Sequence, residues 1–218
     1  MIDLSKYIIH DLTHSLGEHI AGFASKPART LATDGWNAQT LTIYSHAGTH
    51  MDAPFHFGVS DQTIDQFTPQ DLMCHTWIAK VTVTESKQLI TVTDLGDVSK
   101  QLKPGQGLMI CTNWHKKYKD KDFKSGLPRI SAELAQWCVD RRVKMLGVEP
   151  LSVADVENLE EVTSIHQTLL GGGVIIVEGL KNLDLIQSNQ VFFMALPLKI
   201  KNGDGAPARA LAFELKPE

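Results

Sequence analysis

The stretch Ser45-His46-Ala47-Gly48-Thr49-His50-Met51-Asp52-Ala53-Pro54-Phe55-His56 constrains this chain more than any other. Counted from His46, the side chains able to hold a metal ion fall at offsets of zero, four, six and ten. All of these offsets are even. Alternate side chains of an extended chain share a face, so His46, His50, Asp52 and His56 start on one side. A helix would also bring His46 and His50 together. Gly48 and Pro54 disfavour a helix interior, Pro54 by roughly 3 kcal/mol. The expectation is a strand that ends near Ser45 and runs into a tight, Gly-kinked loop whose side chains converge on an ion.

Neutral imidazole together with carboxylate suits a borderline divalent ion such as zinc, manganese or iron, and suits calcium poorly. Any one of these histidines is at home hydrogen-bonded in an ordinary loop. Four such side chains at this spacing point to a metal site. Two His and one Asp leave at least one coordination position for water, as catalytic sites do and closed structural sites do not. In a good zinc site the pKa of that water falls from roughly 15.7 to about 7.

Two further candidates lie far along the chain. His166 sits at the start of a short helix expected over 164–170, with Gly171 beyond its end. Glu178 ends the apolar run Val174-Ile175-Ile176-Val177, and strand ends in α/β folds are where polar groups reach a crevice. A carboxylate there needs a partner to offset its desolvation. Residue pattern alone leaves an exposed loop carboxylate equally open for Glu178.

The rest of the chain reads as alternating strands and helices. Residues 6–16 form an edge strand that turns at Gly17 and carries His10 and His14, with His14 the secondary pocket candidate. Residues 22–35 show no period and read as a loop, and Phe23 and Trp36 are candidates for an aromatic wall. Strands are expected over 39–44, 77–83, 108–112, 143–148, 174–177, 190–196 and 209–215. Thr68-Pro69 reads as a helix start. Residues 131–142 form the clearest helix, with Ser131 as its cap and Leu134, Trp137 and Cys138 on one face. His115 follows a strand and is open as a pocket residue. The whole is a mixed α/β architecture, one domain over residues 1–218.

The 218 residues, 43% of them hydrophobic and 21% charged, are those of an ordinary soluble globular protein. A net charge of -4 argues against nucleic acid. The Lys116–Lys121 patch is broken by Asp120 and reads as a solvated loop. No apolar run approaches a membrane span, and Met1-Ile2-Asp3-Leu4-Ser5-Lys6 lacks the pattern of a signal peptide. Cys74, Cys111 and Cys138 form no C-x-x-C pair, so neither a disulfide framework nor a zinc knuckle is expected. A reducing cytoplasm is the expected location.

The segment His46-Ala47-Gly48-Thr49-His50-Met51-Asp52-Ala53-Pro54-Phe55-His56 resembles the H-x-G-T-H-x-D-x-P-x-H signature of the cyclase-like metal hydrolases. Bacterial kynurenine formamidases (arylformamidases) and isatin hydrolases belong to this family. Asp11-Leu12-Thr13-His14, Thr112-Asn113-Trp114-His115, and His166 followed by Glu178 twelve residues on resemble its other motifs. So do 190–199 and 204–210, and the likeness runs over nearly the whole chain.

The resemblance implies the swivelling β/β/α fold and a homodimer or larger homo-oligomer. It also implies a two-metal centre, in which His46, His50 and Asp52 hold one ion and Asp52, His166 and Glu178 the other. His56 would then be free of metal and serve in proton transfer. One or two ions per subunit are expected, zinc foremost and manganese or iron otherwise.

The implied substrate is a small amide, with an arylformamidase of tryptophan catabolism acting on N-formylkynurenine as the leading reading. Hydrolysis of a cyclic amide, lactone or ester is the alternative, and a non-catalytic metal-binding scaffold the third. A purely structural site has no use for a non-ligating His56. Where formamidases tend to read G-I-D-T-P-S, this chain has Gly147-Val148-Glu149-Pro150-Leu151-Ser152, a departure that bears on substrate choice.

Overall fold

Short apolar runs become strands, and three of them are buried along their whole length. The chain is described here by a computed structural model covering residues 3–217; Met1 and Ile2, part of the stretch read for a signal peptide, lie outside it. In chain order the strands are β1 (Tyr7–Asp11), β2 (Phe23–Arg29), β3 (Ala38–Ile43), β4 (His50–Asp52), β5 (Met73–Lys80) and β6 (Leu89–Ile90). They continue with β7 (Gly107–Cys111), β8 (Arg129–Ile130), β9 (Met145–Val148), β10 (Ile175–Glu178), β11 (Gln190–Pro197) and β12 (Gly205–Leu215). Of the α-helices, α1 (Leu31–Asp34) and α2 (Val98–Gln101) are single turns; α3 (Ala132–Asp140) and α4 (Leu159–Gly171) are longer.

The main sheet runs β1-β12-β11-β5-β7-β9-β10-β4. The long strand β12 pairs with β1 through its C-terminal half and with β4 through its N-terminal half, as in Asp11↔Leu211 and Gly205↔Asp52. Because β4 also pairs with β10, seven of the eight strands close into a ring, with β1 flanking it. The neighbouring strands β5, β7, β9 and β10 are parallel, and the rest of the ring is antiparallel.

Side-chain alternation divides the core into two. Met109, Met145, Ile175 and Val177 face the interior with Met51, Phe193 and the alanines of β12. Their neighbours Leu108, Ile110, Leu146 and Ile176 face outward, under α3 and α4, where they meet Leu134, Cys138, Ile165 and Leu169. Strands covered on both faces read as continuous apolar runs, which is why β7, β9 and β10 were recognisable. Both longer helices are capped: the Ser131 hydroxyl accepts from the Leu134 amide, and the Asn158 side chain from the Glu161 amide. Among the described residues no helix is long and apolar enough to cross a membrane.

Four expectations need correction. Residues 22–35 are not a loop: β2 pairs with β3 in a separate two-stranded ribbon, and α1 sits at its tip. β2 is almost wholly exposed, so it carries no buried face to imprint a period, whereas β3 falls on the strand expected over 39–44. Thr68-Pro69 starts no helix, because the Asp71 carboxylate accepts from both the Thr68 amide and its hydroxyl, closing a turn from which β5 soon departs. That strand begins at Met73 and ends at Lys80, ahead of the expected 77–83. Lastly, α4 begins at Leu159, so His166 lies in its middle rather than at its start.

Candidate metal centre and its cavity

The loop after β3 turns at Gly48, whose φ is +65°, and the chain re-enters the ring as the three-residue strand β4. Its pairing decides the site. His50 lies opposite Glu178 of β10, and Asp52 opposite Gly205 of β12. Met51 between them points into the ring core, so His50 and Asp52 point together to the other face. Gly179, immediately after Glu178, has φ +66°, and a Cβ there would collide with the Gly48 carbonyl. Glycine is therefore required where these two turns touch. A short 3-10 turn, Pro54–Phe57, carries His56 to the same place, and α4 delivers His166.

The six expected side chains meet. His50 Nε2 lies 3.1 Å from Glu178 Oε2 and 3.7 Å from Asp52 Oδ1. His166 Nε2 lies 3.4 Å from Glu178 Oε1 and 3.6 Å from Asp52 Oδ2. Ligand atoms of His50, Asp52 and Glu178 fall within 4.8 Å of one another, as do those of His46, Asp52 and His56. Asp52 is common to both groups.

The hydrogen bonds behind the histidines assign their tautomers. His50 Nδ1 is 2.9 Å from the Gly48 carbonyl, and His166 Nδ1 is 2.6 Å from the Val162 carbonyl. A carbonyl only accepts, so each Nδ1 carries the proton and donates it. In the neutral ring each Nε2 then presents a lone pair to carboxylate oxygens. Lone pair facing lone pair is repulsive unless a cation lies between them. The buried Asp52 Oδ2 finds no hydrogen-bond partner. Asp52 and His50 are 1% exposed, and His166 and Glu178 are 3%. Glu178 Oε1 accepts from the Val153 amide at 2.7 Å, but the Asp52 carboxylate faces the two Nε2 lone pairs and its Oδ2 has no donor, which is what a metal ion satisfies, and the residues fit one.

The second group is arranged differently. His46 Nδ1 lies 2.9 Å from Asp52 Oδ1, and His46 Nε2 lies 2.8 Å from Asp204 Oδ2. Burial opposes its charged form, but the two carboxylates outweigh burial and raise His46 to about 9. Burial likewise opposes charge on His166, and the Glu178 and Asp52 carboxylates overcome it. Glu178 is pulled well below the carboxylate range, the two histidines outweighing its own desolvation. His56 stacks on His46 with ring centroids 3.9 Å apart and keeps 26% of its side chain exposed. It is the member of the cluster that something entering from solvent reaches first.

Asp204 was not expected here. It belongs to the turn before β12, and its carboxylate also accepts from the Ser45 hydroxyl. Asp204 opens the 204–210 segment that resembles a family motif, but no spacing ties it to the other ligands; the β4–β12 pairing brings it to His46.

A cavity of about 380 Å³ opens over the cluster. Its aromatic wall is Tyr44, Phe57 and Tyr118 rather than Phe23 and Trp36, which sit on the exposed ribbon and its tip and do not line it. Phe57 stacks on His166 at 4.3 Å. Leu151, which departs from the family pattern, lines the cavity beside Ser152, which keeps it, but Glu149 does not. Wholly buried, it accepts from the Thr112 and Trp114 amides, the Thr112 hydroxyl and His115 Nδ1. His115 is thereby held away from the cavity. His14 stacks on Tyr118 at 4.7 Å, and burial, helped by Lys181, lowers it to about 4.

With this geometry in hand, residues 10–155 match the model of the Cyclase family. The chain belongs to that family. A kynurenine formamidase of Bacillus cereus is 27% identical over 175 residues, covering 80% of this chain and 79% of its own. Isatin hydrolase A from Ralstonia solanacearum superposes with a TM-score of 0.84 at 21% identity, over 96% of this chain and 93% of its own. A potential metal-dependent hydrolase with cyclase activity superposes at 0.77 with 23% identity, over 95% and 99% of the two chains. At these identities the solved structures speak for the fold, a mixed α/β ring with few helices.

Proposed function

We propose that this chain is a metal-dependent hydrolase of carbon–nitrogen amide bonds, acting on an aryl formamide of the N-formylkynurenine type. The observation that carries the reading is the pair of imidazole lone pairs, on His50 and His166, aimed at the buried carboxylates of Asp52 and Glu178. Likeness to a curated kynurenine formamidase over four-fifths of the chain supports the substrate. His46, His50, Asp52, His166 and Glu178 would hold one or two ions, zinc foremost and manganese or iron otherwise. When bound, the ion supplies Lewis acidity to the substrate carbonyl and acidifies a water.

The chain's own groups do the rest. His56, about a quarter exposed above the buried ligands, gives a proton to the departing amine nitrogen as the C–N bond breaks. Asp204 holds His46 by hydrogen bond and lies 3.6 Å from His56 Nδ1, positioning both rings. The aromatic walls exclude water and orient a flat substrate. Water and the formamide yield formate and the free arylamine.

A homodimer or larger assembly forms part of this reading. A lone two-stranded ribbon is marginal in water. The β2–β3 ribbon and its flanks expose Leu31, Trp36 and Tyr44 by 64%, 56% and 60%, which a second copy would cover.

The test is release of kynurenine from N-formyl-L-kynurenine by zinc- or manganese-loaded protein, with and without chelator. Chelator-sensitive release supports the reading. Absence of release with metal bound would sink the formamidase assignment and favour a cyclic amide. That second reading draws on the likeness to isatin hydrolase and on Leu151 and Ser152 in the cavity wall.

A further inference from the structure

The loop of residues 112–128 carries a dense run of lysines that sequence alone reads as solvated surface. Its own small core pins it in place. Trp114, Phe123 and Leu127 are buried together, and the Trp114 indole N–H donates to the Phe123 carbonyl at 3.0 Å. The Phe123 ring lies 4.7 Å from that of Tyr118. Backbone on either side of Lys124 is thus fixed by packing rather than left free.

The lysines of this loop meet different fates. Lys116 pairs with Asp184 at 2.7 Å, and Lys117 lies over the Trp114 ring at 4.4 Å. Lys124 instead lines the cavity over the metal-type ligands, together with Tyr118. It supplies the cavity's only lysine or arginine side chain among the described residues and is exposed to solvent. An exposed cation beside the aromatic wall of a cavity, apart from the ligand cluster, is a place for an anion that the protein does not itself provide. Burial raises the Tyr118 phenol above its ordinary value, so it stays protonated and able to donate.

We infer that Lys124, with Tyr118 beside it, is a specificity-determining residue that reads a carboxylate on the substrate's aromatic part, away from the bond that is cleaved. The preferred substrate is then an anionic aryl amide rather than a neutral one. This rests on the hydrolase reading above. Volume agrees: about 380 Å³ holds a substituted benzene ring and its amide, not a large peptide. The lysine touches the substrate only through that remote carboxylate, so its effect falls on binding.

The experiment compares 4-formamidobenzoate with formanilide, the same aryl formamide with and without a carboxylate remote from the amide, on metal-loaded protein. In K124A the preference in kcat/KM for 4-formamidobenzoate over formanilide falls about tenfold, the size of one charge-assisted contact, and the loss lies in KM. K124R restores part of it, and K124E reverses it further. Calorimetric titration with benzoate, set against benzamide, gives a readout independent of turnover: benzoate binding weakens in K124A and benzamide binding does not.

If K124A leaves the preference and benzoate affinity as in the parent, the inference is overturned while the hydrolase reading stands. If neither formamide is hydrolysed but benzoate binding still depends on Lys124, the formamidase reading fails and the anion site remains.

Discussion

His56 is where the account is most exposed at the scale of single residues. It stacks on His46, lies 3.6 Å from Asp204 through Nδ1, and is open to the cavity. Replacing it with alanine should lower kcat by about 10²–10⁴-fold, the range for losing a general acid–base group, while metal content measured by emission spectroscopy stays as in the parent. Metal lost together with activity would make His56 a ligand instead; activity retained would remove His56 from the proton transfer. The even spacing of His46, His50, Asp52 and His56 was legible because β4 and its flanks are extended. Asp204 was not legible, because its place depends on a strand register 152 residues from Asp52 in the chain. Glu149 misled in the opposite sense. It reads as a substrate-loop residue, yet its carboxylate is spent on backbone amides.

Among the elements, the 112–118 segment hangs on that carboxylate. Glu149→Ala leaves the Thr112 and Trp114 amides and His115 without their acceptor in a buried place. Such losses cost about 1–3 kcal/mol per unsatisfied group, so a fall of at least about 2 kcal/mol in denaturant unfolding is expected. A variant as stable as the parent would show that the loop finds other partners.

A second carboxylate links β1, β12 and the turn before β11. Glu214 is 3% exposed, and it accepts from the Gln187 amide at 2.8 Å, from the Ser188 amide, and from His10 Nε2 at 2.7 Å. Burial pushes its carboxyl up, but the donors outweigh burial and hold it below its ordinary 4.5. A folded-state value below the unfolded one stabilises the protein above the unfolded pKa, and that contribution vanishes as pH falls through the folded value. Between about pH 6 and about pH 3 the parent should therefore lose more stability than Glu214→Gln does, read as denaturant midpoints. Equal losses would remove Glu214 from the acid response. Elements buried on both faces were readable as apolar runs. In the exposed β2–β3 ribbon, β3 was readable from its alternation, but β2 was not, since nothing packs on it to impose a pattern.

At the scale of the molecule, the candidate ligands come from β4, from α4 and from the end of β10, which lie far apart in the chain. An ion held there joins the first and last thirds of the fold, and ligand bound only to the native state stabilises it by about 4 kcal/mol at a thousandfold excess over Kd. Chelation should accordingly lower Tm, with zinc restoring it; an unchanged Tm would mean the ligands hold no ion of consequence. The family and the mixed α/β fold were legible from motifs spread over the chain, but ring closure through β4 was not, because three residues are too few to announce a strand. The central claim is that Asp52 is shared by both groups of ligands, and metal analysis of the parent and of Asp52→Asn tests it most directly. Folding of the variant is checked by its tryptophan emission. The account predicts one or two zinc ions per parent chain and none in the variant. A folded variant that keeps the parent's metal content would contradict it.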